Sequence, residues 1–437
     1  MTAAGATTRL PLTPAQVSVW YGHQLDPSRH RYNVGEYVEI HGPVPTETLQ
    51  RAFRVMVAEA DAYRVVSVGG VDGVEQVVAA SPDVFPVEVH DLTGTPGADA
   101  VARAEMAADM ARPVDLEAGP LLRSVLFRVA EDRLLWYFRA HHVICDAYTH
   151  ELTIRRVAAI HAALLAGRPQ PARTFGTLAE LAAEDARYRS SDDFARDRDH
   201  WLTRLADRPP PVRLGRAGSD YSPDMARSTG LVAARTVARL RATASETRTS
   251  WVVWAVAAAV AFVHRLSGQD DLLLGLPVTG RTNRLGRHTP GMAANVVPLR
   301  IRVRPDRGLD DLVTAVRAEL RGALRHQRYR YEELRRDLGL SVGDPDFLGP
   351  LVNVMSDADD LAFGGHRSTR HNLSVGPASD LSFITYGEAD GLRVDLDGSA
   401  ARYTAGELSG YRDRYLGFLD AVCADPARPV GGVPLPG

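Results

Sequence analysis

The chain has 437 residues, a formal net charge of −3 and 45% hydrophobic residues. That length exceeds one ordinary core, so two lobes are expected, and the near-neutral charge gives no footing for nucleic acid or a membrane surface. All 51 basic side chains are arginine, which excludes a Schiff-base lysine, a phosphate-loop lysine and the lysine of nucleotide-dependent adenylating enzymes.

Met1–Thr8 is short and polar and does not read as a signal peptide. Thr13-Pro14 is a helix start, with an N-cap residue before a proline at the first helical position. The helix runs to about Leu25, with Val17, Trp20 and Tyr21 on one face. Val34–Ile40 reads as a strand. Thr46 caps the next helix, whose Leu49, Phe53 and Met56 fall at helical spacing. Tyr63–Val68 and Val74–Val78 flank a Gly-Gly-Val-Asp-Gly turn and predict a hairpin. Val101–Ala111 is helical. Leu121–Val129 and Arg133–Ala140 are strands, the second apolar almost throughout and therefore central. A helix with a broad apolar stripe follows from Tyr148 to Leu165.

Ala166–Arg173 is rich in Gly, Pro and Arg and marks the lobe boundary. Helices are expected near Leu178–Tyr188 and Asp193–Leu205, then a loop over Arg208–Pro223. The second half predicts strands at Leu231–Val237, Leu272–Val278, Asn295–Val303, Leu351–Met355, Leu381–Tyr386 and Leu392–Leu396. Its helices are Val237–Ala244, Ser250–Leu266, Leu309–Leu324, Tyr331–Leu338 and Ala405–Cys423. The apolar run Trp251–Val263 is too short to span a bilayer. Cys145 and Cys423 make no disulfide framework. A cytoplasmic protein of two mixed α/β lobes is the expectation.

The stretch His141–His150, HHVICDAYTH, joins the central strand to a helix, a place where sites are commonly built. A metal site could draw on His141, His142, Asp146 and His150. Adjacent histidines in an extended segment point to opposite faces, however, so only one readily shares a site with Asp146. A thiol nucleophile would pair Cys145 with His142, its pKa lowered before a helix N-terminus. Both histidines could also be satisfied core groups. The remaining reading is acyl transfer with a histidine base and no protein nucleophile, because an imidazole titrates close to working pH. A buried Asp146 would then need a cation, and Arg281 is the natural candidate.

His141-His142-x-x-x-Asp146-Ala147 resembles the HHxxxDG motif of condensation domains of nonribosomal peptide synthetases, within the chloramphenicol-acetyltransferase-like superfamily. Other stretches match in order. Leu12–Gln16 through Trp20 resembles the opening S-x-A-Q-x-x-x-W motif, and Tyr63-Arg64 the L-R segment. Pro277–Arg281 and Gly291–Arg300 resemble the paired G-R and G-x-x-x-N-x-x-x-L-R segments. His326–Leu338 is similar to H-Q-x-x-P-F-E-x-L-V, and Asp380-Leu381-Ser382 to the D-L-S/T strand. The opening reads most like condensation domains that begin an assembly line, including those of siderophore synthetases.

The resemblance implies two acetyltransferase-like lobes in a V-shaped pseudo-dimer with a tunnel between them. The lobes would be residues 1–172, carrying the motif, and 173–437, carrying floor and latch segments. It implies an acyltransferase that joins a carrier-bound acyl or aminoacyl thioester to an amine, or a hydroxyl. It implies no metal and no intrinsic cofactor, with substrates on the phosphopantetheine arms of donor and acceptor peptidyl or aryl carrier proteins, and a monomer. His142 matches the general base or amine-positioning group. His141 supports the turn, and Asp146 pairs with Arg281 to hold it. Arg64, Asn295 and Ser382 match tunnel positions. Ala147 departs from the family glycine, adding a methyl and making positive φ costly. The alternative is a non-catalytic domain of the same fold that docks carriers or recruits tailoring enzymes. The chain lacks adenylation and carrier segments, as expected of a free-standing enzyme or of a domain cut from a synthetase.

Overall fold

The computed structural model describes residues 7–26, 28–70, 73–216, 224–341, 344, 346–355, 361–374, 380–388 and 391–435. Residues 71–72 of the expected hairpin turn and 217–223 of the expected loop lie outside them, as do 1–6 and 436–437. The chain divides into two compact units. The first combines Met1–Asp193 with Thr279–Ala294 and Asp360–Gly376; the second takes Phe194–Val278, Asn295–Asp359 and Pro377–Gly437. Two segments that follow residue 193 in the chain thus pack with the first unit.

The first unit is built on a six-stranded sheet in the order Ala362–Phe363, His366–Asn372, Asn33–His41, Arg133–His141, Leu122–Ala130, Val87–Asp91. The strand Arg133–His141 is interior and antiparallel to both neighbours, as its unbroken apolar run predicts. Alternation decides what it covers. Trp136, Phe138 and Ala140 join the core that includes Phe53 and Met56 of the helix Thr46–Glu59 and Ile154 and Val157 of the helix Ala147–Leu165. Leu135 and Tyr137 pack with Ala102 and Met106 of the helix Ala98–Met110. Fully burying a side chain of the Phe138 class is worth about 1.5–3 kcal/mol, so the strand that carries the histidines is held from both faces. Thr7–Pro11, Glu75–Ala79 and Val65–Gly69 form a separate three-stranded sheet.

The second unit has its own six-stranded sheet, in the order Asn295–Arg302, Asp271–Val278, Leu351–Met355, Leu381–Glu388, Gly391–Ser399, Met225–Leu231. Its core surrounds the helix Trp251–Ser267, in which Trp254–His264 are all buried. Ser250 caps this helix by accepting from Val252 N, and Gly268 ends it with φ +70°, a left-handed stop that glycine adopts without strain. Among the described residues, no single helix is long and apolar enough to cross a membrane.

Two local expectations are corrected. The strand expected at Leu231–Val237 lies at Met225–Leu231, and the helix Ala234–Glu246 already occupies most of that stretch. Thr46 is the first helical residue, and Pro45 at the N-cap makes no side-chain capping bond. The strands Thr7–Pro11, Val87–Asp91, Ala362–Phe363 and His366–Asn372 were not expected; they are short, at sheet edges, or polar.

Candidate active site

The central strand ends at His141, paired with Asn33. His142 N donates to Tyr32 O at 2.8 Å, and Ile144 N closes the turn onto His141 O at 3.0 Å. Gln16 Nε2 holds the Val143 carbonyl at 3.0 Å. Gln16 is itself fixed by a capping box with Thr13, which starts the helix Pro14–Leu25. Asp146 is the N-cap of the helix Ala147–Leu165. The loop therefore has little freedom, because these backbone groups find partners as they leave the sheet.

The two histidines separate as their alternation requires. His141 is fully buried. Its Nδ1 accepts from Val143 N at 3.1 Å, so Nε2 carries the proton and donates to His23 Nδ1 at 3.2 Å. Burial, with His23 next, keeps its pKa well below the usual imidazole range. It is a neutral brace.

His142 is only half-buried. Its Nδ1 stands 2.7 Å from Cys145 O. A carbonyl only accepts, so Nδ1 carries the proton and the Nε2 lone pair is left for a substrate. Desolvation lowers its pKa below 6.5, while the Cys145 carbonyl and the Asp146 charge pull the other way. At neutral pH the ring is thus an uncharged acceptor.

Asp146 and Arg281 meet as expected, with Arg281 Nη1 2.6 Å from Asp146 Oδ2 and both side chains about 1% exposed. The same Oδ2 accepts from Ala293 N and Ala294 N, each at 3.0 Å. Oδ1 accepts from Thr149 N at 2.8 Å and has Thr149 Oγ1 at 2.9 Å. Burial alone would raise the Asp146 pKa; Arg281 and the backbone donors outweigh it and hold the carboxyl below its ordinary value. Arg281 also donates to the carbonyls of Gly286, Thr279 and Gly291 at 3.0, 3.0 and 2.7 Å. Its guanidinium lies over the Tyr148 ring, 4.9 Å from the centroid. Asp146 therefore ties the histidine turn to the returning segment Thr279–Ala294 and has no proton to exchange at neutral pH.

Cys145 is buried, and burial pushes its thiol pKa well above the ordinary value, which fits a small core residue better than a nucleophile. Among the described residues, no group of three or more His, Cys, Asp or Glu is placed to hold a metal ion. Ala147 is exposed and begins the helix, and it is not among the described residues with positive φ. The backbone cost expected for its Cβ is absent. Arg64 is engaged locally, donating to Ala79 O at 2.7 Å and to Asp61 Oδ1 at 2.5 Å. In the second unit, Asn295 clamps the loop before the helix Tyr331–Asp337. It donates to Gln327 O and Tyr329 O at 3.0 and 2.8 Å and accepts from Tyr331 N at 3.1 Å. Ser382 is buried in the strand Leu381–Glu388, opposite Leu351. Sequence reasoning missed the supports given by His23, Gln16, Thr149 and the backbone of 293–294. Gln16 stands in the opening motif and Ala293-Ala294 in the G-x-x-x-N segment, so those two carried a signal.

A family model for the condensation domain matches residues 6–436. The chain belongs to the condensation-domain family. It is 39% identical, over 99% of its length, to the isonitrile lipopeptide synthase of Streptomyces coeruleorubidus, of which it covers 30%. It is 36% identical over 97% of its length to a dimodular nonribosomal peptide synthase of Bacillus subtilis, covering 18% of that protein. It is 30% identical over 97% to the enterobactin synthase component F of Escherichia coli, covering 33%. The domain thus spans about a third or less of these curated relatives. Among solved structures it is similar to the starter condensation domain of rhizomide synthetase bound to C8-CoA, with a TM-score of 0.91 and 35% identity over 98% of each chain. It also matches the first condensation domain of the calcium-dependent antibiotic synthetase, with a TM-score of 0.90 and 32% identity over 98% of this chain and 99% of that one. The fold is the chloramphenicol-acetyltransferase-like one. Condensation domains are amide-forming acyltransferases of nonribosomal peptide synthesis; they act on phosphopantetheine-carried substrates and have no intrinsic cofactor.

Proposed function

We propose that this domain joins an acyl thioester on a donor carrier protein to the amine of an aminoacyl group on an acceptor carrier, with His142 as proton acceptor. The observation that carries this is the 2.7 Å contact from His142 Nδ1 to Cys145 O. It commits the free lone pair to Nε2 of a part-exposed ring, on a turn that the Asp146–Arg281 pair ties down. The amine nitrogen attacks the thioester carbonyl, and Nε2 takes or orients the amine proton. The tetrahedral intermediate collapses with loss of the pantetheine thiolate, which leaves as the thiol once it takes up that proton. His142 returns to its neutral form. The likeness to a lipopeptide synthase and to a starter domain bound to C8-CoA supports a fatty acyl donor rather than a growing peptide.

The test is intact-mass measurement of an octanoyl-loaded donor carrier and an aminoacyl-loaded acceptor carrier, with and without the domain. Transfer moves the octanoyl mass to the acceptor, and His142→Ala abolishes it. Carrier binding by the wild type without any mass transfer would instead establish the non-catalytic docking role.

A further inference from the structure

Behind the histidine turn, the first unit holds a second line of polar groups that the transfer step does not touch. Cys145, His150 and Glu36 are all buried. His150 Nδ1 lies 3.4 Å from Glu36 Oε2, and His150 Nε2 lies 3.4 Å from Cys145 Sγ. A carboxylate only accepts, so Nδ1 carries a proton and Nε2 is left to meet the Cys145 S–H. Glu36 is gripped in turn by Arg370, whose Nε and Nη2 stand 2.8 and 3.2 Å from its two oxygens. Arg370 also donates to Glu151. Burial opposes the Glu36 charge, but Arg370 and His150 outweigh it and hold the pKa at about 2.

The line ends at the catalytic ring, because the Cys145 carbonyl is the group that accepts from His142 Nδ1. It begins about 220 residues further along the chain, on the strand His366–Asn372, which lies between Ala362–Phe363 and Glu36–Ile40 in the sheet. The other groups facing this line are Tyr63, which feels the charge of Glu36, and Asp146, which faces Cys145. Phe138 packs edge-on against His150 with centroids 4.8 Å apart. With Arg370 present, both Glu36 oxygens are held and Oε2 stays in reach of His150 Nδ1. Without Arg370, Glu36 loses those two contacts, and the hold that runs through His150 and the Cys145 sulfur to the Cys145 carbonyl is loosened.

We propose that Arg370 is a positioning residue for acyl transfer, acting through Glu36, His150 and Cys145 to hold the carbonyl that fixes the proton on His142 Nδ1. The proposal rests on His142 being the proton acceptor.

The test compares Arg370→Gln, Arg370→Lys and His142→Ala in the carrier-to-carrier assay, together with the ¹⁵N spectrum of histidine-labelled protein. Arg370→Gln is expected to lower kcat about tenfold with KM for both carriers unchanged. It should move the acid limb of the pH–rate profile downward, because loosening the Cys145 carbonyl weakens the bond that favours the protonated His142 ring. It should also replace the single Nδ1–H tautomer signature of His142 by a mixture. Arg370→Lys, which keeps the charge, should recover most of the rate. A merely structural role would leave the tautomer and the pH limb where they are. Wild-type kcat and a single tautomer in Arg370→Gln, with His142→Ala inactive, overturns the proposal and leaves the His142 reading standing. Full activity in His142→Ala overturns both. Glu36→Gln weakens the contacts to Arg370 and His150 in the middle of the same line and is read by the same kcat and tautomer signatures should Arg370→Gln fail to fold.

Discussion

Replacing Arg281 by alanine is the most demanding test of the site, because the cost can be built from the geometry. The substitution removes the 2.6 Å contact to Asp146 and three bonds to backbone carbonyls. Breaking a buried ion pair from one side costs about 3–5 kcal/mol. Asp146 keeps three backbone donors, Thr149 N, Ala293 N and Ala294 N, with the Thr149 hydroxyl shared with Gly291 O, so the lower half of that range is expected. For a unit of roughly 150–250 residues, 1 kcal/mol moves Tm by about 2–4 °C, so the loss is on the order of 6–16 °C. The pH dependence carries the sign. In the wild type the Asp146 pKa is lowered by folding, with burial overcome by Arg281. Its stabilisation is therefore present above the unfolded carboxylate value and is lost as the pH falls through the folded one. In Arg281→Ala the burial effect is no longer overcome, and the carboxyl favours its protonated form. The deficit against wild type should shrink from pH 8 toward pH 4. The assay is calorimetric melting across that range, with Asp146→Asn/Arg281→Met as the paired variant, which should recover much of the loss because neither partner is stranded. An Arg281→Ala melting temperature equal to wild type, or a deficit that grows toward pH 4, would refute the reasoning.

His142→Ala should abolish mass transfer between carriers while leaving Tm within a few degrees, because the ring is half-buried and the turn is held by its neighbours; retained transfer sinks the assignment. Since desolvation lowers the His142 pKa, the acid limb of the wild-type rate should fall below the ordinary imidazole value of about 6.5, which a pH–rate profile reads directly. Ala147→Gly should leave transfer intact and cost less than about 1 kcal/mol of stability as a helix-propensity effect; a clear loss of rate would show a role for that methyl. Native protein should show no reactive thiol to a disulfide reagent at pH 8, and two after denaturation. Cys145 and Cys423 are both buried, and burial pushes the Cys423 thiol up to about 12.

What the sequence made legible is what period and chemistry announce. The apolar run Leu134–Ala140 and the capped start at Thr13 were readable from residue type and spacing, and the pairing of Asp146 with Arg281 from residue type and the motif resemblance. The strand His366–Asn372, HRSTRHN, was not. It has no apolar alternation, and its register against Glu36–Ile40 is marked by cross-strand contacts of Arg370 with Glu36 and His371 with Glu39. Partners more than 300 residues apart leave no local pattern. Met225–Leu231 escaped for a similar reason: Arg227 and Thr229 face Asp397 and Asp395 rather than a hydrophobic layer. At the site, the two histidines could be told apart by alternation, but His141's brace His23 and the Cys145 carbonyl that sets the His142 tautomer depend on folds of the chain that spacing does not encode. Arg64 and Asn295 could be placed by motif, yet only geometry shows that each is occupied with backbone carbonyls.

The N-terminal unit is threaded by Thr279–Ala294 and Asp360–Gly376, and this sets a schedule for biosynthesis. When residue 193 leaves the ribosome, Asp146 has neither Arg281 nor the amides of 293 and 294, and the edge of Asn33–His41 has no partner. At synthesis speeds of about 5–20 residues per second, roughly 10–40 s pass before residue 376 is made. Through that interval the nascent chain carries an uncovered strand edge and an unpaired acid. A recombination crossover placed between residues 193 and 279 would therefore supply the histidine turn from one parent and Arg281 with the amides of 293 and 294 from another.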